Sequence, residues 1–118
     1  MKILIVDDDV MVLESLKHNL SHQGYDCITA SDGVQALSMA RVYGPDLIIS
    51  DVMMPGFSGL DLLSMLKQFY LSNVPVIIIS SHDKSDIIRS SMGLGAAYFV
   101  PKPIDFKELN GIVKQYQA

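Results

Sequence analysis

The chain lacks tryptophan, carries one cysteine, and has no excess of positive charge: nine Lys+Arg stand against thirteen Asp+Glu, a formal net charge of -4 over 118 residues. Each shortage excludes something. Without a basic face, direct tracking of a nucleic-acid backbone by this segment is not expected. A lone Cys27 rules out an intrachain disulfide and a thiolate metal cage, and its place in an alternating apolar segment reads as a small core residue. Long apolar runs are missing too. The longest near-continuous one, Val74 to Ile79, falls far below the ~18 residues that span a bilayer, and the N-terminal run meets Asp7 before it could serve as a signal-peptide core. The expectation is a cytoplasmic protein with no membrane segment. Its length fits one domain over residues 1–118, and no repeat, low-complexity stretch or linker interrupts it.

What is present is a recurring alternation. Four short runs rich in Ile, Leu and Val, at Ile3–Val6, Leu47–Ile49, Val76–Ile79 and Tyr98–Val100, end at polar residues. They do not alternate with polar residues, which suits strands buried on both faces of a parallel sheet. Tyr25–Ala30 alternates more and fits a strand nearer an edge. Helical periods lie between the runs. Met11, Leu13, Leu16 and Leu20 mark the first, closed by Gly24; Val34, Leu37, Ala40 and Arg41 mark the second, stopped by Gly44-Pro45. Ser58 with Asp61 forms a capping-box variant before Leu62, Leu63 and Leu66. Asp83 or Ser85 can cap a fourth helix around Ile87, Ile88 and Met92, and Asp105 with Glu108 opens a fifth carrying Phe106, Leu109, Ile112 and Val113. Five βα units with right-handed crossovers predict an α/β, doubly wound open sheet with helices on both faces. The methionines Met11, Met39, Met65 and Met92 read as core filler.

Ligands in such sheets bind beyond the carboxyl ends of the strands, so the residues after each run carry the chemistry. After the first stand Asp7, Asp8 and Asp9; after the third, Asp51; after the fourth, Ser80 and Ser81; after the fifth, Lys102. Asp9 reads best as a helix N-cap. If the first and third strands are neighbours, the other carboxylates crowd together. Two unit charges ~5 Å apart at an effective dielectric of ~20 repel by roughly 3 kcal/mol, so something must compensate. The sequence offers the Lys102 ammonium and, through an all-oxygen donor set without Cys or His, a hard divalent cation such as Mg²⁺ or, alternatively, Mn²⁺. Cation, Lys102 and the Ser80 hydroxyl would gather positive charge and donors around one phosphoryl group. An Asp carboxylate can then act as the nucleophile.

The segment from Asp51 to Gly59, a strand-end acid followed by a Pro- and Gly-containing loop entering a capped helix, resembles the receiver domains of two-component response regulators. The resemblance covers the whole chain: Val6-Asp7-Asp8, then Asp51-x-x-Met54-Pro55-x-x-x-Gly59, Ser80, and Lys102-Pro103. It implies the flavodoxin-like strand order 2-1-3-4-5, for which the chemotaxis member of this family is a standing example. It also implies roles. Asp51 would be phosphorylated. Asp8 would bind Mg²⁺ directly, Asp7 partly through water, and Asp51 together with the Met53 backbone carbonyl would complete the protein's share. Lys102 would pair with phosphoryl oxygens. Ser80 would draw its loop toward the phosphoryl group while Phe99 changes rotamer, switching the surface of helix four, strand five and helix five. His82 and Met53 would tune water access and phosphoryl lifetime, and the family carries a cis peptide at the Lys-Pro bond. A sensor histidine kinase or phosphotransfer protein would supply the phosphoryl group, and phosphorylation would favour a homodimer or an unidentified downstream partner. The chain would catalyse only its own phosphorylation and dephosphorylation.

Three other readings compete. Asp7-x-Asp9, Ser80 and Lys102 superficially fit a haloacid-dehalogenase-like phosphatase, but no acidic pair follows Lys102 and no cap domain has room. An interaction module that has lost phosphorylation fits poorly, since every chemical position holds a competent residue. A flavin-binding flavodoxin relative is disfavoured because acids stand where a phosphate cradle would be required. His18 and His22, at i and i+4 without the glutamate of a zinc-protease motif, read as exposed polar residues. After the fifth helix the sequence leaves no room for an effector, so output is expected through the protein contacts of a free-standing receiver or through a further part of a longer regulator.

Overall fold

A computed structural model describes residues 1–52, 54, 58–70, 73–81 and 85–117. Five strands, β1 (Lys2–Val6), β2 (Asp26–Ala30), β3 (Leu47–Asp51), β4 (Val76–Ser80) and β5 (Tyr98–Pro101), alternate with helices α1 (Val10–His22), α2 (Gly33–Tyr43), α3 (Gly59–Met65), α4 (Ser85–Gly93) and α5 (Phe106–Lys114). The sheet is parallel throughout, in the order β2-β1-β3-β4-β5, the flavodoxin-like arrangement expected. Strand order reverses between β1 and β3, so the crevice of such a sheet opens above their carboxyl ends.

Successive side chains of a strand face opposite ways. Here both faces are apolar, so each strand feeds two cores. Ile3, Ile5, Ile49, Ile77 and Ile79 pack with Leu16 and Leu20 of α1 and Leu109 and Val113 of α5. Leu4, Val6, Ile48 and Ile78 pack on the other side with Ala36 and Ala40 of α2 and Leu62 and Leu63 of α3. The two edge strands, β2 paired only with β1 and β5 paired only with β4, keep partial exposure.

The caps bear out their sequence signals. Asp9 accepts from the Met11 amide, Ser58 and Asp61 form a reciprocal capping box, and Asp105 accepts from the Lys107 and Glu108 amides. Gly44 closes α2 in the left-handed region with φ 55°.

Three expectations need correction, and one feature is new. Met11 and Met92 are not core filler: they are 80% and 46% exposed, because both fall on the outward stripe of their helices. Met39 and Met65 are half-buried. Val34 also faces outward, and the small residues Ala36 and Ala40 carry the burial of α2. Cys27 is half-buried at the rim of the α1-side core, where desolvation raises its pKa above the ordinary 9.0. Finally α3 runs on into a π-helical turn at Leu66–Tyr70, which no local signal announced.

Candidate functional site at the β1–β3 switch point

Register places the acids. Val6 pairs with Ser50, so the next step along each strand brings Asp7 beside Asp51. Both are buried, while Asp8, one residue on, is exposed at the rim. One carboxylate oxygen from each of Asp7, Asp8 and Asp51 lies within 4.8 Å of the others.

The chain holds Asp7 firmly. Its amide donates to the Ala30 carbonyl at the end of β2, its Oδ1 accepts from the Asp9 amide at 2.9 Å, and its Oδ2 accepts from Lys102 Nζ at 2.8 Å. Both oxygens are thus engaged within the protein. Lys102 Nζ also stands 3.6 Å from Asp51 Oδ2. Lys102 reaches there because its own amide donates to the Ser80 carbonyl at 2.7 Å, tying the end of β5 to the end of β4. The peptide joining it to Pro103 is cis. Burial by itself would lower the lysine pKa; the hydrogen bond to Asp7 and the charges of Asp51 and Asp7 outweigh it and hold the ammonium above its usual 10.5.

Asp51 owes its position to the backbone around it. The Val52 amide donates to the Ile79 carbonyl, and the Gly59 amide donates to the Val52 carbonyl at 2.9 Å. This ties the start of α3 to the strand end. A Cβ on Gly59 would overlap the Asp51 carbonyl oxygen and lie 2.7 Å from Val52 Cα, so only glycine fits at the start of α3. Ser80 is fully buried at the end of β4, and Phe99, half-buried in β5, packs against the α2/α3-side core.

Sequence reasoning therefore foresaw Asp7, Asp8, Asp51 and Lys102 as one cluster, and the structure brings those four together. Ser80 stands at the next strand end. Met53 and His82 lie outside the described residues, as do Asp83 and the loop residues Pro55, Gly56 and Phe57. Two contributions had no sequence signal that could be read in advance: the Asp9 amide that orients Asp7, and the contact that demands Gly59.

Three carboxylates face one ammonium, an all-oxygen donor set with net negative charge. That set fits a hard divalent cation such as Mg²⁺. Asp9, by contrast, caps α1 through its Oδ1 and is not one of the three clustered acids, where a haloacid-dehalogenase-like phosphatase would place its second acid.

A buried acid pair at the switch point of a doubly wound sheet, with a strand-end lysine bridging it, defines an α/β domain with an acidic site at its strand ends. Residues 3–114 match the family described as the response regulator receiver domain, and the chain belongs to that family. The alkaline phosphatase synthesis transcriptional regulatory protein PhoP of Bacillus subtilis is 39% identical over 113 residues, covering 96% of this chain and 47% of that protein. Sporulation initiation phosphotransferase F of the same organism is 36% identical over 115 residues, covering 98% and 92%. The chain thus spans about half the length of PhoP and nearly all of the phosphotransferase. Among solved structures, chemotaxis protein CheY4 of Vibrio cholerae superposes with a TM-score of 0.91 at 27% identity, covering 98% of both chains. The Francisella response regulator 1452 receiver domain gives 0.89 at 33%, covering 98% of this chain and 94% of that one.

The chain is therefore a receiver domain of two-component signal transduction, a class that is typically signalling rather than enzymatic. Such domains interact with histidine kinases or phosphotransfer proteins and bind Mg²⁺ at their acidic pocket. The phosphatase alternative is not favoured. No helix among the described residues is long and apolar enough to cross a membrane.

Proposed function

We propose that residues 1–118 act as one cytoplasmic receiver that accepts a phosphoryl group on Asp51 from a phosphohistidine donor. The observation that carries this reading is the Lys102 ammonium set between Asp7 Oδ2, at 2.8 Å, and Asp51 Oδ2, at 3.6 Å. An Asp51 carboxylate oxygen attacks the phosphorus, the phosphorus–nitrogen bond to the donor imidazole breaks, and the imidazole leaves with the electron pair and takes up a proton. Asp8, Asp51 and the Met53 carbonyl would hold a Mg²⁺, with Asp7 contributing through water, and the ion would supply charge neutralisation at the phosphoryl oxygens. That Asp7 already uses both oxygens within the protein supports its indirect role.

Lys102 is the group that changes partner. It keeps Asp7 and turns from Asp51 toward the incoming phosphoryl oxygens. The Ser80 hydroxyl then donates to the same group, drawing the end of β4 inward, and Phe99 repacks into the space released. The altered face of α4, β5 and α5 carries the signal to a second copy or a downstream partner. Water attack on the aspartyl phosphate returns the resting state.

Incubation with a small acyl phosphate and Mg²⁺, followed by peptide mapping, tests the assignment. Phosphate on Asp51 and its absence from Asp51→Asn are expected. Phosphate on Asp7 would point to the phosphatase reading instead, and no modification at all would leave the module a phosphorylation-independent one.

A further inference from the structure

The mechanism leaves the outer face of α1 unused. His18 and His22 stand there one turn apart, both exposed, with ring centroids 6.1 Å apart and planes inclined by only 24°. We propose that these two imidazoles form a binding site for a borderline divalent transition-metal ion of the Zn²⁺ or Cu²⁺ type, separate from the acidic site.

Spacing and exposure both favour it. Residues at i and i+4 share a helix face, the geometry by which helical histidine pairs chelate metals. With ring centroids 6.1 Å apart on one exposed helix face, both side chains are free to rotate until one nitrogen of each comes within the ~2.0–2.1 Å of a zinc–imidazole bond. His22 also lies in the last turn of α1, where the negative end of the helix dipole favours a cation. The pair borders a groove of about 400 Å³ lined further by Asn19, Gln23 and Phe106, which leaves room for an ion that keeps water in its remaining positions. Among the described residues no third histidine, cysteine or carboxylate joins them in a tight cluster, so the protein supplies two ligands.

Imidazole nitrogens select against Mg²⁺, just as the carboxylate set selects for it. The sites are also far apart. At 1.5 Å per residue, His18 and His22 lie about 13 and 20 Å along α1 from Asp9, at the acidic end. One domain would thus hold two cation sites of opposite softness.

Calorimetric titration of ZnCl₂ into the chelator-treated chain, with Mg²⁺ in excess, tests the proposal. One saturable site is expected, weakened at least about tenfold in His18→Ala and in His22→Ala and retained in Asp8→Asn. Substoichiometric CuCl₂ should broaden the amide resonances of residues 15–25 before those around Asp51, a readout that needs no variant. Loss of the site in Asp8→Asn with retention in the histidine variants would overturn the proposal, as would first broadening around Asp51. Absence of saturable binding below ~100 μM would do the same.

Discussion

Lys102 is the residue on which the resting site balances. Removing it leaves the buried Asp7 carboxylate beside two further acids with no cation, and breaking a buried pair of this kind costs about 3 kcal/mol. Lys102→Met should therefore lower the urea midpoint of the metal-free chain strongly and lose less in saturating Mg²⁺, where a second positive charge remains; an equal loss in both conditions would contradict this. The same lysine has a pH signature. Its pKa is raised on folding, so its contribution is complete below 10.5 and is lost as pH rises through the folded value above that. Lys67 works the other way, since burial lowers its pKa and stability from it grows with pH below 10.5. The difference between the parent and Lys102→Met, measured by urea unfolding on either side of 10.5, isolates the Lys102 contribution and should shrink on the alkaline side.

Among the elements, the junction of β3 with α3 carries the most constraint in the fewest atoms. The acid must sit at the strand end, and the helix must begin against the acid's own carbonyl. Gly59→Ala drives a Cβ into backbone that no rotamer change can relieve. A cost of about 3 kcal/mol is expected by thermal melts, together with weakened Mg²⁺ binding because Asp51 moves with its strand end. A normal Mg²⁺ affinity in a destabilised Gly59→Ala would show that the loop, and not the site, absorbs the strain. Ser58, one residue earlier, is legible from sequence because its capping partner Asp61 is three residues away. The reason for Gly59 is not, since the contacting carbonyl belongs to a strand whose path depends on the whole sheet.

At the scale of the molecule, the acid cluster makes folding and cation binding one equilibrium. An ion that binds only the folded site stabilises it by RT ln(1 + [L]/Kd), about 2.7 kcal/mol at a hundredfold excess over Kd. Mg²⁺ should accordingly raise the melting temperature by about 10 °C. Asp8→Asn removes an exposed acid from the cluster. It should be slightly more stable than the parent without metal, by about 1 kcal/mol after solvent screening, and should gain little from Mg²⁺. Calorimetric scans of both proteins with and without the ion check both halves. A parent that gains nothing from saturating Mg²⁺ would remove the metal from the site.

Local order along the chain was enough to settle the strands, the caps and the fold class, because apolar runs, helix periods and N-cap residues act over a few positions. Strand-end positions pointed to Asp7, Asp8, Asp51, Ser80 and Lys102, and the family motif added the strand order and the roles expected of them. Tertiary structure alone decided what those groups do to one another. It set which acid is buried, that both Asp7 oxygens are already held, and that Lys102 spans Asp7 and Asp51. It also turned Met11 and Met92 to solvent, against a composition that favoured burial. Charge coupling and burial depend on distances between residues remote in sequence, and only the closed sheet brings those residues within reach.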